Sequence, residues 1–143
     1  MHTIDNIYLG DLQTKATHVK SGVQLITDAP VDNQGKGESF SPTDLTTASL
    51  GSCIMTIIGI WAKNEQVELK GTQMKLTKIM SANLPRRIAK IEVEISLLSN
   101  REFSDIEKIK IIEIASTCPV ALSLHPDIEQ KVSFEWGSAT LKW

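Results

Sequence analysis

Cys53 and Cys118 are the only thiols in this 143-residue chain, and they are its side chains best suited to covalent chemistry. A thiolate attacks peroxides and disulfides. A second thiol nearby converts the resulting sulfenic acid into a disulfide that a dithiol can reduce. The two cysteines stand 65 positions apart, without a CxxC pair and without the Cys/His spacing of a zinc site. His2, His18 and His125 are scattered and read as surface or turn residues, so no metal site is expected.

Each cysteine has a structural reading beside the chemical one. Cys53 lies in the middle of an apolar segment, where a free cysteine behaves as a small core hydrophobe, and burial without a positive partner leaves it inert. Cys118 precedes Pro119, which puts it at the N-cap of a new helix. Unpaired N–H groups and the helix dipole favour a thiolate there, so this argument makes Cys118 the more acidic thiol. Its structural alternative is a cap residue in a helix kink.

The elements that must hold these residues are legible in outline. The N-terminal third reads as short strands, with a turn at Lys20-Ser21-Gly22 followed by the β-prone run Val23–Thr27. Asp32 to Ser39 is a polar loop whose Gly35-Lys36-Gly37 lacks the spacing of a phosphate-binding loop. Ser41 then caps a helix that starts at Pro42 and runs to about Asn64, with Asp44 in the reciprocal capping position. Strands are expected over Glu68–Met80 and Arg87–Leu98, joined by a turn at 83–86. In the second, Ile91, Val93, Ile95 and Leu97 alternate with Lys90, Glu92, Glu94 and Ser96, as in an antiparallel sheet with one wet face. A second helix capped by Ser104 and Glu107 places Ile106, Ile109, Ile112 and Ala115 on or near one face, and Pro119 ends it and starts a short third helix. A last strand carries Val132, Phe134 and Trp136. The order predicts an α+β fold in one domain, residues 1–143.

Composition narrows the function. A net charge of −2 provides no basic field for nucleic acid. Leu45–Ala62 runs 18 residues without a charge, but its serines, threonines and glycines read as a core helix, not a membrane span. The first six residues lack the charged and apolar regions of a signal peptide. Two cysteines without a secretion signal point to reduced thiols in the cytoplasm.

The combination Ser41-Pro42-Thr43-Asp44-Leu45, Ala48-Ser49-Leu50-Gly51-Ser52-Cys53 and the later Cys118-Pro119-Val120 resembles the OsmC/Ohr family, the osmotically inducible protein C and organic hydroperoxide resistance proteins. The resemblance spans nearly the whole chain. It implies an OsmC-like fold, with antiparallel sheets wrapped around central buried helices in an intertwined homodimer whose active sites lie at the subunit interface. It also implies thiol-dependent reduction of organic hydroperoxides, with Cys53 as the peroxidatic residue, Cys118 as the resolving one and a cellular dithiol as reductant. No metal, flavin or haem is implied. The chain departs from the family pattern at two points. No arginine precedes Arg86, so Lys15, Lys20 and Lys36 are the cations of the N-terminal region. Thr43 stands where the family has a glutamate, and the acid follows one place later as Asp44.

Asp44 also reads simply as a helix-start acid, Lys15 and Lys20 as solvated strand or turn residues, and Trp61, Trp136 and Trp143 as packing residues. Two further functions remain open at this stage: a module binding an apolar ligand, and a redox sensor whose disulfide alters a partner surface.

Overall fold

A computed structural model of the protein describes residues 1–138; Trp143 lies outside the described residues. The chain forms two compact units, Met1–Thr46 and the remainder from Thr47. The first is a three-stranded antiparallel sheet in the order β1 (Ile4–Gly10), β2 (Gln13–His18), β3 (Gln24–Asp28). Asp11 and Leu12 both take positive φ in the tight β1–β2 turn, which is the backbone twist a two-residue hairpin needs. Beyond β3 the chain makes a single 3-10 turn at Val31–Asn33 and returns so that Phe40 bridges Thr27 in parallel.

Helix α1 (Pro42–Asn64) begins at the expected residue. The Ser41 hydroxyl accepts from the Asp44 N–H at 3.1 Å, and the Asp44 carboxylate accepts from the Ser41 N–H at 2.9 Å. This reciprocal pair satisfies two of the donors that every helix start leaves open. By length and composition α1 could cross a membrane. One side of it, through Leu50, Gly51, Ile54, Ile58 and Ala62, is buried in the chain, whereas Ile60 on another side is 59% exposed. It is thus a one-sided core helix within this chain and is not buried all round.

The second unit contains β4 (Gln73–Met80), β5 (Ile88–Ser99), α2 (Asp105–Ala115), α3 (Pro119–Ser123) and β6 (Glu129–Ser138), with sheet order β4-β5-β6. β4 and β5 form the expected antiparallel hairpin, Leu76 opposite Val93. β6 corrects the antiparallel expectation: it lies parallel to β5, with Val93 beside Val132 and Ile95 beside Phe134. The physical reason is the connection. Two helices between β5 and β6 carry the chain back to its starting end, which is the crossover a parallel neighbour requires. The predicted alternation in β5 holds. Ile91, Val93, Ile95 and Leu97 are buried at 1% exposure or less, while Lys90 pairs with Glu92 and Glu129 on the opposite, wet face. With Leu50, Ile54 and Ile58 of α1 these residues form the core, each large side chain contributing about 1.5–3 kcal/mol. Gly51 is required at its place: a Cβ there would stand 2.6 Å from Leu76 Cδ2, so the absent side chain lets α1 approach β4 closely.

The face assigned to α2 is also corrected. Its box of Ser104 and Glu107 forms as expected, but Ile111 and Ala115 are the buried residues, and Ile106, Ile109 and Ile112 are 80, 59 and 50% exposed. Isoleucines occur at 106, 109, 111, 112 and 114, so apolar residues lie around most of the helix and periodicity alone cannot choose a face. Docking against the core decides it, with Phe103 buried just before the helix.

Candidate active site

Cys53 sits in the fourth turn of α1, next to Ile54 in the core, and is half-buried. Cys118 is completely buried and forms the N-cap of α3, in extended backbone conformation before Pro119. Both thiols are free, and they are near enough for Cys53 to perturb the ionisation of Cys118. The fold therefore brings together two cysteines separated by two strands and a helix. They approach because α1 packs on one face of the sheet and the α2–α3 connection crosses that same core.

Sγ of Cys118 accepts the Ala121 N–H at 3.3 Å, the side-chain capping contact expected of an N-cap residue. The expected acidity does not follow. Burial pushes the Cys118 thiol above its ordinary range, the Ala121 and Val120 N–H groups offset this only in part, and the neighbouring Cys53 thiol pushes the same way. A five-residue helix brings few aligned peptides, so desolvation outweighs the dipole. Burial thus reverses the acidity that the cap alone would give Cys118.

Next to the cysteines, Ile54, Ala115 and Ser116 line a cleft of about 260 Å³ together with Ile112, Gln130, Val132 and Phe134. Gln130 breaks its apolar wall. It extends the inward positions of β6 one step before Val132, and its Nε2 donates to the Ala121 carbonyl at 2.9 Å. Sequence reading started that strand at Lys131 and missed Gln130. The signal was the period-two continuation, with a polar residue on the core side.

The other candidates occupy the first unit. Thr43 Oγ1 lies 3.1 Å from the Ser41 hydroxyl, and Asp44 closes the α1 capping box, so these two residues shape the helix start. Lys15 stands mid-β2 between Ile7 and Ile26 of the flanking strands, and Lys20 lies exposed in the turn after β2. Lys36 is ion-paired with Asp11 at 2.8 Å. Sequence reading also passed over Asp28, which is fully buried. Its Oδ2 accepts from the Glu38 N–H at 3.0 Å, and its Oδ1 has no hydrogen-bond partner in the structure. Trp61 and Trp136 both pack around Phe103, at ring distances of 6.0 Å. The three histidines are exposed, and no cluster of metal-ligating residues exists among the described residues.

A family profile described as OsmC-like protein matches residues 35–133, a stretch holding both cysteines and the α1 cap. The chain belongs to the OsmC-like family. No curated protein sequence matches it. Among solved structures, a Psychrobacter arcticus protein named for osmotic stress induction and detoxification response is similar at 49% identity, TM-score 0.88, over 94% of this chain and 96% of the other. An organic hydroperoxide resistance protein OsmC of Legionella pneumophila superposes with TM-score 0.68 at 17% identity, over 94 and 98% of the two chains. One from Elizabethkingia anophelis gives 0.70 at 16%, over 94 and 96%. At these identities the last two establish the shared fold. The OsmC-like chain is α+β, as expected, and its family includes proteins named for hydroperoxide resistance.

Proposed function

We propose that this OsmC-like protein reduces organic hydroperoxides with its two thiols, Cys53 attacking and Cys118 resolving. The observation that carries the reading is the asymmetry of the pair: two free, neighbouring thiols, one on a partly exposed residue and one wholly buried. The partly exposed cysteine is the one a substrate meets. The buried one, held protonated by desolvation, can donate its S–H to a Cys53 thiolate and waits for the second step. In the first step Cys53 thiolate attacks the terminal peroxide oxygen, the O–O bond breaks, and the alcohol leaves with a proton. In the second, Cys118 attacks the sulfenic sulfur, water leaves, and a disulfide forms. A dithiol reductant restores both thiols. The apolar surround favours alkyl over hydrogen peroxide by burying the hydrocarbon tail.

The active form we propose is a homodimer in the reducing cytoplasm. Its support is the apolar surface left on a single chain, which includes Ile7, Tyr8 and Phe40 of the first unit and Ile106, Ile109 and Leu122 of the second, each more than half exposed. Lys15 or Lys20 would then supply the cation that the family's arginine supplies elsewhere.

The test is stoichiometric cumene hydroperoxide added to reduced protein, followed by mass spectrometry. The expected product is a Cys53–Cys118 disulfide. Cys118→Ser should stop at sulfenic acid on Cys53 and over-oxidise in excess peroxide, and Cys53→Ser should leave Cys118 reduced. Retention of both thiols for minutes in excess peroxide would sink the reading.

A further inference from the structure

The residue that follows Cys118 by three positions is held from both sides. The Ala121 N–H donates to Cys118 Sγ at 3.3 Å, and the Ala121 carbonyl accepts from Gln130 Nε2 at 2.9 Å. That carbonyl has no intrahelical role. α3 ends at Ser123, its last backbone bond runs from the Leu124 N–H to the Val120 carbonyl, and the residue that would reach the Ala121 carbonyl lies beyond the cap. Gln130 fills this vacancy from β6, where its neighbour across the parallel ladder is Ile91, a fully buried position. Cys118 is buried in the core and Val120, Ala121 and Leu124 pack against it, but a helix of five residues cannot hold its own geometry, and Leu122 on its other side is 72% exposed. The side chain that ties it to the sheet also lines the cleft that holds Ile54, Ala115 and Ser116.

We propose that Gln130 is a positioning residue for Cys118: by anchoring Ala121 it holds the buried thiol on the line of attack toward Cys53. The inference rests on the reading of Cys118 as the thiol that closes the disulfide. It assigns to Gln130 a role in that closing step and none in the first attack, because the contact is with α3 and not with α1. A purely structural role would lower stability and leave the ratio of the two steps unchanged.

The experiment separates the steps without any peroxide. With the aromatic disulfide DTNB, Cys53 displaces one arylthiolate and becomes a mixed disulfide. Cys118 then attacks the Cys53 sulfur, releases the second arylthiolate and a proton, and leaves the Cys53–Cys118 disulfide. Absorbance at the arylthiolate band gives a first and a second phase, and Cys118→Ser gives only the first. Gln130→Met and the smaller Gln130→Val both lack the donor. Each is expected to slow the second phase about two- to tenfold, the value of one net hydrogen bond, with the first phase unchanged. Gln130→Lys keeps a donor and is expected to close faster than either. An unchanged second phase in a folded donor-less variant, or equal slowing of both phases, would overturn the proposal, as would a parent protein with no second phase. Failure of peroxide reduction with the second phase and its Gln130 dependence intact would remove the proposed function and leave the positioning role.

Discussion

The two units of this chain differ in what they bury. From Thr47 onward, the core is a continuous set of apolar side chains with Thr47 and Ser99 buried beside them, and all the buried hydrophobic residues of the described chain belong to it. In Met1–Thr46 the buried residues are Thr27, Asp28 and Ser41, all polar, while Ile4, Ile7, Tyr8, Val23, Val31 and Phe40 are each more than half exposed. A three-stranded sheet without a covered apolar face is marginal in water, since its ladder hydrogen bonds alone do not offset chain entropy. The contrast teaches that hydrophobic burial within one chain accounts for the second unit and not for the first. The thiols lie in the unit that holds its own shape, which suits a pair whose reaction depends on their mutual placement.

The sharpest way to test this contrast is to delete matched side chains. Ile95→Ala removes a side chain that is 1% exposed and is expected to destabilise by about 2–5 kcal/mol, the range for large-to-small core changes. Chemical denaturation at one fixed protein concentration would show it as a lower midpoint. A cost under about 0.5 kcal/mol, typical of surface sites, would mean that the second unit is not the core described.

Ile7→Ala makes the corresponding cut in the first unit, at a residue 57% exposed in the single chain. Were that face bare, the change would be close to neutral. If a second copy covers it, as we propose, the loss is about 1–2 kcal/mol per chain, and dilution of the variant lowers its melting temperature more than that of the parent. Light scattering over a dilution series decides: a parent that remains at the 15.8 kDa chain mass at micromolar concentration removes the dimer from consideration.

The smallest expected effect compares the two capping boxes, one in each unit. Asp44 closes the box of α1, and Glu107 closes that of α2 with the Arg101 guanidinium added at 2.7 Å. Arg101, and then the Ser104 N–H, hold the Glu107 carboxyl down to about 2. A lowered pKa contributes stability above the unfolded carboxylate range near pH 4.3, and that contribution is lost as pH falls toward 2. Glu107→Gln should therefore melt slightly below the parent at pH 7, with the gap closing between about pH 5 and pH 2. A gap that persists at pH 2 would show that the loss is one of packing and not of charge.

Local chemistry made much of this legible in the sequence. Ser41 with Pro42 and Asp44, and Ser104 with Glu107, announce helix starts through hydrogen bonds spanning only three residues, and both form as read. The alternation in β5 is equally local, because one buried and one wet face impose a period of two. Cys118 at an N-cap follows from Pro119 alone.

What failed or stayed hidden depended on contacts between distant segments. The exposed face of α2 could not be chosen among five isoleucines until docking chose it. The parallel register of β6 was set by the path of the intervening helices. The acidity expected of Cys118 was reversed by burial, a property of its surroundings and not of its cap. Gln130 reads as an ordinary polar residue until tertiary structure brings its amide to the Ala121 carbonyl. By itself the sequence determined where helices and strands begin and that two thiols are present, because those follow from residues within a turn or two of one another. Only the tertiary structure decided that the thiols are neighbours and that one is partly exposed and the other buried, because both are properties of a core assembled from the whole second unit.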